Sequence, residues 1–178
     1  MIVWINGTFG AGKTTTAREL EQLLPDARIF DPEMVGTMLR YGVTKLPEHT
    51  DFQQLEPWRP LVVETADQLL RSWGGTLIAV QTVLHEPYWD EIRSGLEQRG
   101  IPVRHFVLDA DRATLESRIE GDTPDIREWR HAHLDAYESA RPWLRRAGTM
   151  LDTSALTPAQ VAARLRAGVA GHSAAGSR

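Results

Sequence analysis

Residues 7–14, Gly-Thr-Phe-Gly-Ala-Gly-Lys-Thr, satisfy the pattern G-x-x-x-x-G-K-[ST] in full. Glycines at those positions let the backbone wrap closely around a phosphate chain, and the amides of residues 10–15 supply donors at the start of a helix. Gly7, Phe9, Gly10, Ala11, Gly12, Lys13, Thr14 and Thr15 are therefore the candidate nucleotide-binding set. Lys13 brings a point charge to the β and γ phosphates, and the Thr14 hydroxyl is a candidate magnesium ligand. ATP and Mg2+ are the expected cofactors. Only two of the 20 basic residues are lysines, Lys13 and Lys45, and one of them occupies the phosphate-binding position.

The remaining residues narrow the class. Asn6 is the only asparagine, so the chain has no N-K-x-D segment with which a GTP-dependent switch would read guanine. The third apolar run ends in Gln81, where an ATPase motor would carry an acid. Asp31, at the end of the second run, is the acid near the nucleotide instead, because ligands of a doubly wound sheet lie beyond the carboxyl ends of its strands. There it suits a general base toward an attacking hydroxyl, a holder of magnesium through water, or a cap on the helix begun by Pro32. Glu33 is a second candidate for the catalytic tasks. Arg118, Arg127 and Arg130 flank a polar loop over residues 121–126, which is placed to act as a lid. Arg118 suits adenine stacking and Arg127 and Arg130 suit the phosphates, while the same side chains could form ordinary helix pairs with Glu116, Glu120 and Glu128.

The elements that must hold these residues are legible from periodicity. Short apolar runs at 2–6, 28–30, 76–80, 103–108 and 150–152 alternate with amphipathic stretches at 14–24, 32–41, 51–73, 87–98, 111–120, 127–146 and 157–167. This is the pattern of a parallel sheet with helices on both faces. The 51–73 stretch is expected to bend at Pro57 or Pro60, and residues 171–178 to be disordered. No repeat or linker divides the chain, so residues 1–170 are read as one domain with an acceptor region at about 32–73 and a small lid at about 118–130.

A length of 178 residues suits one core that buries about 70% of the unfolded surface. The net charge of −4 argues against a dedicated nucleic-acid binder. With no cysteine, thiolate catalysis, disulfides and Cys-containing zinc sites are excluded. His131 and His133, two apart on a helix, face different ways and suggest no zinc site. No run approaches the length of a membrane span, and the expected setting is the cytoplasm.

Residues 1–14, the Phe30-Asp-Pro-Glu33 segment with Met34-Val-Gly36 and Leu39-Arg40, then Asp51-Phe-Gln53 and Trp58-Arg59, resemble the tunicamycin-resistance ATP-binding proteins over nearly the whole chain to about residue 168. The resemblance implies a P-loop kinase fold similar to that of shikimate, chloramphenicol and nucleoside monophosphate kinases, with five parallel strands in the order 2-3-1-4-5. It implies transfer of the γ-phosphoryl group of ATP to a hydroxyl of tunicamycin, an acylated uridine-containing antibiotic. In that fold the acid after the second strand is the usual base, which maps to Asp31, while Arg40 would bind the acceptor and the turn at Asp152, Thr153 and Ser154 would lie beside adenine. Trp58, Arg59, Gln81 and His85 complete the candidate acceptor set with Glu33 and Arg40. Two other readings share these residues: a kinase of another nucleoside, nucleotide-sugar or sugar hydroxyl, and a protein that sequesters the drug or nucleotide without turnover.

Overall fold

The computed structural model describes residues 1–48, 51–121 and 124–173, with the side chains of 124–127, 129 and 171–173 excepted. Five strands form one parallel sheet in the order β2-β3-β1-β4-β5, where β1 is Ile2–Asn6, β2 Ala27–Phe30, β3 Thr76–Val80, β4 Val103–Asp109 and β5 Thr149–Asp152. This is the order the resemblance implied. β1 is central because Ile-Val-Trp-Ile is apolar on both faces, and every residue of the strand is buried, as a strand covered by helices on each side requires.

The helices are α1 (Lys13–Leu23), α2 (Glu33–Gly42), α3 (Trp58–Trp73), α4 (Glu86–Gln98), α5 (Arg112–Glu120), α6 (Pro124–Ala147) and α7 (Pro158–Ser173). α1 packs on α7, while α3 packs on α4 and α4 on α6. With right-handed crossovers this places the first pair on one sheet face and the second group on the other. Trp4 and Trp89 meet edge to face at 5.3 Å between β1 and α4, fully buried. Each large side chain so buried contributes about 2 kcal/mol or more of transfer free energy.

Three boundaries differ from expectation. The 51–73 stretch is not one bent helix. A single 3-10 turn, Phe52–Gln54, is capped by the Asp51 carboxylate, which accepts from the Gln53 amide, and α3 begins only at Trp58. Pro57 at the cap and Pro60 in the first turn need no intrahelical N–H, so the prolines stand where the helix begins and break none of its hydrogen bonds. α6 begins at Pro124, which shortens the loop between α5 and α6 to three residues, of which 122 and 123 lie outside the described residues. α7 continues past Ala167 through Ser173 because Val169 extends the stripe of Val161, Ala162 and Leu165 that is buried against the core. Residues 174–178 of the expected tail lie outside the described residues. Among the described residues, no helix is long and apolar enough to cross a membrane.

Candidate active site

The phosphate loop leaves β1 on Asn6, whose buried side chain organises it. Asn6 Oδ1 accepts from the Gly7 amide (2.8 Å) and the Val83 amide (3.0 Å), and Asn6 Nδ2 donates to Val83 O (3.0 Å). The loop is thereby locked to the segment that follows β3. Gly7 is obligatory: its φ is 136°, and a Cβ would stand 2.5 Å from Leu108 O. The Thr82 hydroxyl donates to Gly7 O (2.7 Å), a second bond between the loop and the end of β3.

Beneath the loop, His105 Nδ1 lies 3.1 Å from Ala147 O, and Nε2 lies 3.3 Å from Asn6 Nδ2. A carbonyl only accepts, so Nδ1 carries the proton and Nε2 accepts from Asn6. The ring stacks on Trp89 at 3.9 Å. Burial, joined by the Arg93 charge and opposed by the Ala147 bond, pushes its pKa down to about 4. The unfolded chain, with histidine near 6.5, binds more protons than the folded one between those values. The stability conferred by neutral His105 is therefore present above pH 6.5 and lost as pH falls toward 4. Thermal midpoints measured from pH 7 to 4.5 should fall more steeply for the native protein than for His105→Gln, by the equivalent of about one proton taken up on unfolding. Equal slopes would show that His105 does not titrate in this window.

The site is a cleft of about 680 Å³ over the loop. Phe9, Gly10, Gly12, Lys13, Thr14 and Thr15 line its floor. Lys13 Nζ donates back to Thr8 O (2.8 Å) and sits 5.5 Å from the Phe9 ring centre. Burial, with the Arg130 charge adding to it, pushes the Lys13 ammonium down to about 7. An anion entering the loop would relieve both costs. Arg130 also lies over the Phe9 ring (5.4 Å), and His133, one turn further along α6, meets the same ring edge on at 5.4 Å. Arg118 lines the cleft too, donating to Gly10 O (3.3 Å), Thr153 Oγ1 (3.2 Å) and Thr153 O (2.9 Å). It fastens the loop to the turn after β5.

Across the cleft stand Asp31, Glu33, Thr37, Arg40, Asp51, Phe52 and Gln53. The chain reverses from β2 into α2 at Asp31, whose Oδ1 accepts from the Glu33 amide (2.9 Å) while the residue stays exposed to the cleft. Glu33, Thr37 and Arg40 follow at helical spacing on one face of α2. The Glu33 carboxyl is held above its ordinary range by burial and by the charges of Asp31 and Asp51, against a lowering from Arg40. Cations thus gather at the phosphate loop and carboxylates at the opposite wall. Thr14 and Asp31 face one cleft with hard oxygen donors, the chemistry magnesium selects.

Of the residues singled out from the sequence, Phe9, Gly10, Gly12, Lys13, Thr14, Thr15, Asp31, Glu33, Arg40, Gln81, Arg118 and Arg130 line this cleft. Gly7, Ala11 and Thr153 lie behind it as framework. The Arg127 side chain lies outside the described residues. Three others stand elsewhere. Trp58 is fully buried, with its indole N–H on Pro32 O (3.0 Å). Arg59 is buried on Glu91 and Gln53 O. His85 stands at the residue before α4, with no capping bond from its side chain, and packs against Tyr88 at 4.4 Å.

Sequence reasoning does not single out Thr37 or Thr82, weighs His133 only as a zinc ligand, and uses Asp51 and Gln53 only for the resemblance. Thr37 and His133 had a signal, since they lie four residues from Glu33 and three from Arg130 on the same helix faces.

A family model described as an AAA domain matches residues 2–141. The tunicamycin resistance protein of Deinococcus radiodurans superposes with a TM-score of 0.78 at 30% identity, covering 95% of each chain. Shikimate kinase of Aquifex aeolicus superposes at 0.65 with 15% identity, over 99% of this chain and 100% of that one. The APS kinase CysC of Mycobacterium tuberculosis, in complex with AMPPNP and APS, superposes at 0.62 with 16% identity, over 95% and 96%. No curated protein sequence matches the chain. The matched segment runs from the strand before the phosphate loop into α6, and the fold is that of the P-loop kinases. The chain belongs to the AAA-domain family and to the family of the tunicamycin-resistance proteins.

Proposed function

We propose that this protein is an ATP-dependent phosphotransferase that moves the γ-phosphoryl group to a hydroxyl of a nucleoside-type small molecule, with tunicamycin the acceptor to test first. The observation that carries this reading is that Asp31 faces Lys13 and Arg130 across a single cleft. The resistance function of the Deinococcus protein supports the acceptor class, and the AMPPNP complex of the mycobacterial kinase supports ATP as donor. ATP as donor also assigns the reaction to the cytoplasm.

The loop amides and Lys13 hold the β and γ phosphates, and Arg130 supplies charge to the equatorial oxygens as they become more negative. Asp31 accepts the proton of the acceptor hydroxyl while that oxygen bonds to the γ phosphorus. The bond from phosphorus to the bridging oxygen breaks and ADP leaves. Arg40 and the polar wall of Glu33, Thr37 and Gln53 orient the acceptor. Magnesium, held by Thr14 and through water by Asp31, would supply further neutralisation of phosphate charge.

Mass spectrometry of tunicamycin incubated with the protein, ATP and magnesium tests the proposal. A product heavier by one phosphoryl group is expected. Its absence from a preparation shown to bind ATP would overturn tunicamycin as acceptor. Binding of tunicamycin without turnover would instead favour sequestration.

A further inference from the structure

Two adjacent residues at the start of α3 reach both segments of the acceptor wall. Trp58 Nε1 donates to the carbonyl of Pro32, the residue between Asp31 and Glu33. Arg59 Nη1 donates to the carbonyl of Gln53 at 2.7 Å. Gln53 Nε2 in turn donates to Thr82 O (3.0 Å), and the Thr82 hydroxyl donates to Gly7 O. An unbroken chain of bonds thus runs from the Arg59 guanidinium through the wall to the first glycine of the phosphate loop.

The two anchors are themselves fixed. Trp58 is fully buried and packs against Phe52 with ring centres 5.3 Å apart. Phe52 in turn fills the space over Gly36, where a Cβ would come within 2.4 Å of it. Arg59, 8% exposed, is held by the Glu91 carboxylate on one side and lies over the Tyr88 ring at 4.4 Å. A buried guanidinium fixed on three sides is a rigid donor, and the wall segment it bonds gains a fixed position from it.

We infer that Trp58 and Arg59 are positioning residues that set the acceptor wall against the phosphate loop, Trp58 by holding the Asp31 corner and Arg59 by holding the segment from Asp51 to Gln53. Neither touches substrate. They divide the work between the two groups that a transfer must align: the proton acceptor and the surface that orients the hydroxyl. The inference rests on the phosphotransferase reading for its kinetic consequence, though not for its structural one.

The kinetic test uses the intact protein with tunicamycin, ATP and magnesium. Trp58→Phe keeps the buried ring and removes the bond to Pro32. It should lower kcat about tenfold with KM for tunicamycin unchanged, since displacement of a reacting group by a fraction of an ångström acts on the chemical step. Arg59→Met should raise KM for tunicamycin about tenfold, and Arg59→Lys, which can still reach Gln53 O, should recover part of it. Binding of a fluorescent ATP analogue should be unchanged in all three. Parallel loss of nucleotide binding, or no split between kcat and KM, would overturn the inference.

Hydrogen exchange of the same proteins reads the clamp without any acceptor. Arg59→Met should speed exchange at the amides of residues 53–55, and Trp58→Phe at those of 33–35, with the phosphate loop unaffected. If native protein does not phosphorylate tunicamycin while these local changes appear, the acceptor is wrong and the clamp stands. Unchanged exchange, or acceleration spread evenly over the fold, would overturn the clamp.

Discussion

Lys13→Ala is expected to reduce phosphoryl transfer by about 10²-fold to 10³-fold and to weaken ATP binding measurably. The loop amides survive the change, so some phosphate affinity should persist. The point charge that follows the γ phosphate into the transition state does not. Lys13 donates to Thr8 O near the Phe9 ring, with the Arg130 charge pressing its pKa further below the value burial imposes. Both features describe a cation held ready for an anionic ligand. Lys13→Arg should not rescue, because a planar fork cannot take the place of a compact ammonium in a loop this tightly wound. Steady-state kinetics with a parallel titration of a fluorescent ATP analogue would check both parts. Full retention of transfer and of binding would remove the phosphate-site reading.

Asp31→Asn is expected to lower kcat by about 10²-fold or more while ATP binding stays near its native value. The substitution is unusually clean. Asp31 Oδ1 accepts from the Glu33 amide, and an asparagine oxygen can accept the same bond, so the turn into α2 is kept. What disappears is the charge and the capacity to take a proton. A residue that only caps the helix would lose almost nothing. Glu33→Gln provides the contrast. Its carboxyl, held up by burial and by Asp31 and Asp51, lines the same cleft, and its loss should cost less than about tenfold. Reversal of that order would transfer the role of base to Glu33.

The parts of the site that could be read in advance share a property: each is local in sequence. The phosphate loop is eight consecutive residues, and its glycines and lysine act through backbone geometry that the segment carries wherever it folds. Asp31 was legible because it ends an apolar run, and strand ends in this architecture point at the ligand. Arg118 and Arg130 were legible as cations flanking a polar loop, though only the structure reveals that Arg118 spends its donors on Gly10 and Thr153.

The start of α3 is where local reading fell short. Trp58 and Arg59 look like ligand contacts in sequence, an aromatic beside a cation in the acceptor region. Their side chains turn inward, Trp58 onto Pro32 O and Arg59 onto Gln53 O. His133 is the opposite case. Its spacing of three from Arg130 marks only a shared helix face, and it takes α6 laid across the loop to bring it against Phe9.

The alternation of strands and helices, the phosphate loop and the acid at the end of β2 are all written in short segments, because periodicity, glycine conformation and strand ends are local properties. Which residues face the cleft and which stand behind it follows from packing in three dimensions. That choice depends on how prolines start α3, how Gly36 admits Phe52, and how elements some twenty residues apart meet at one wall. Such contacts are set by packing between elements, and spacing along one segment does not encode them.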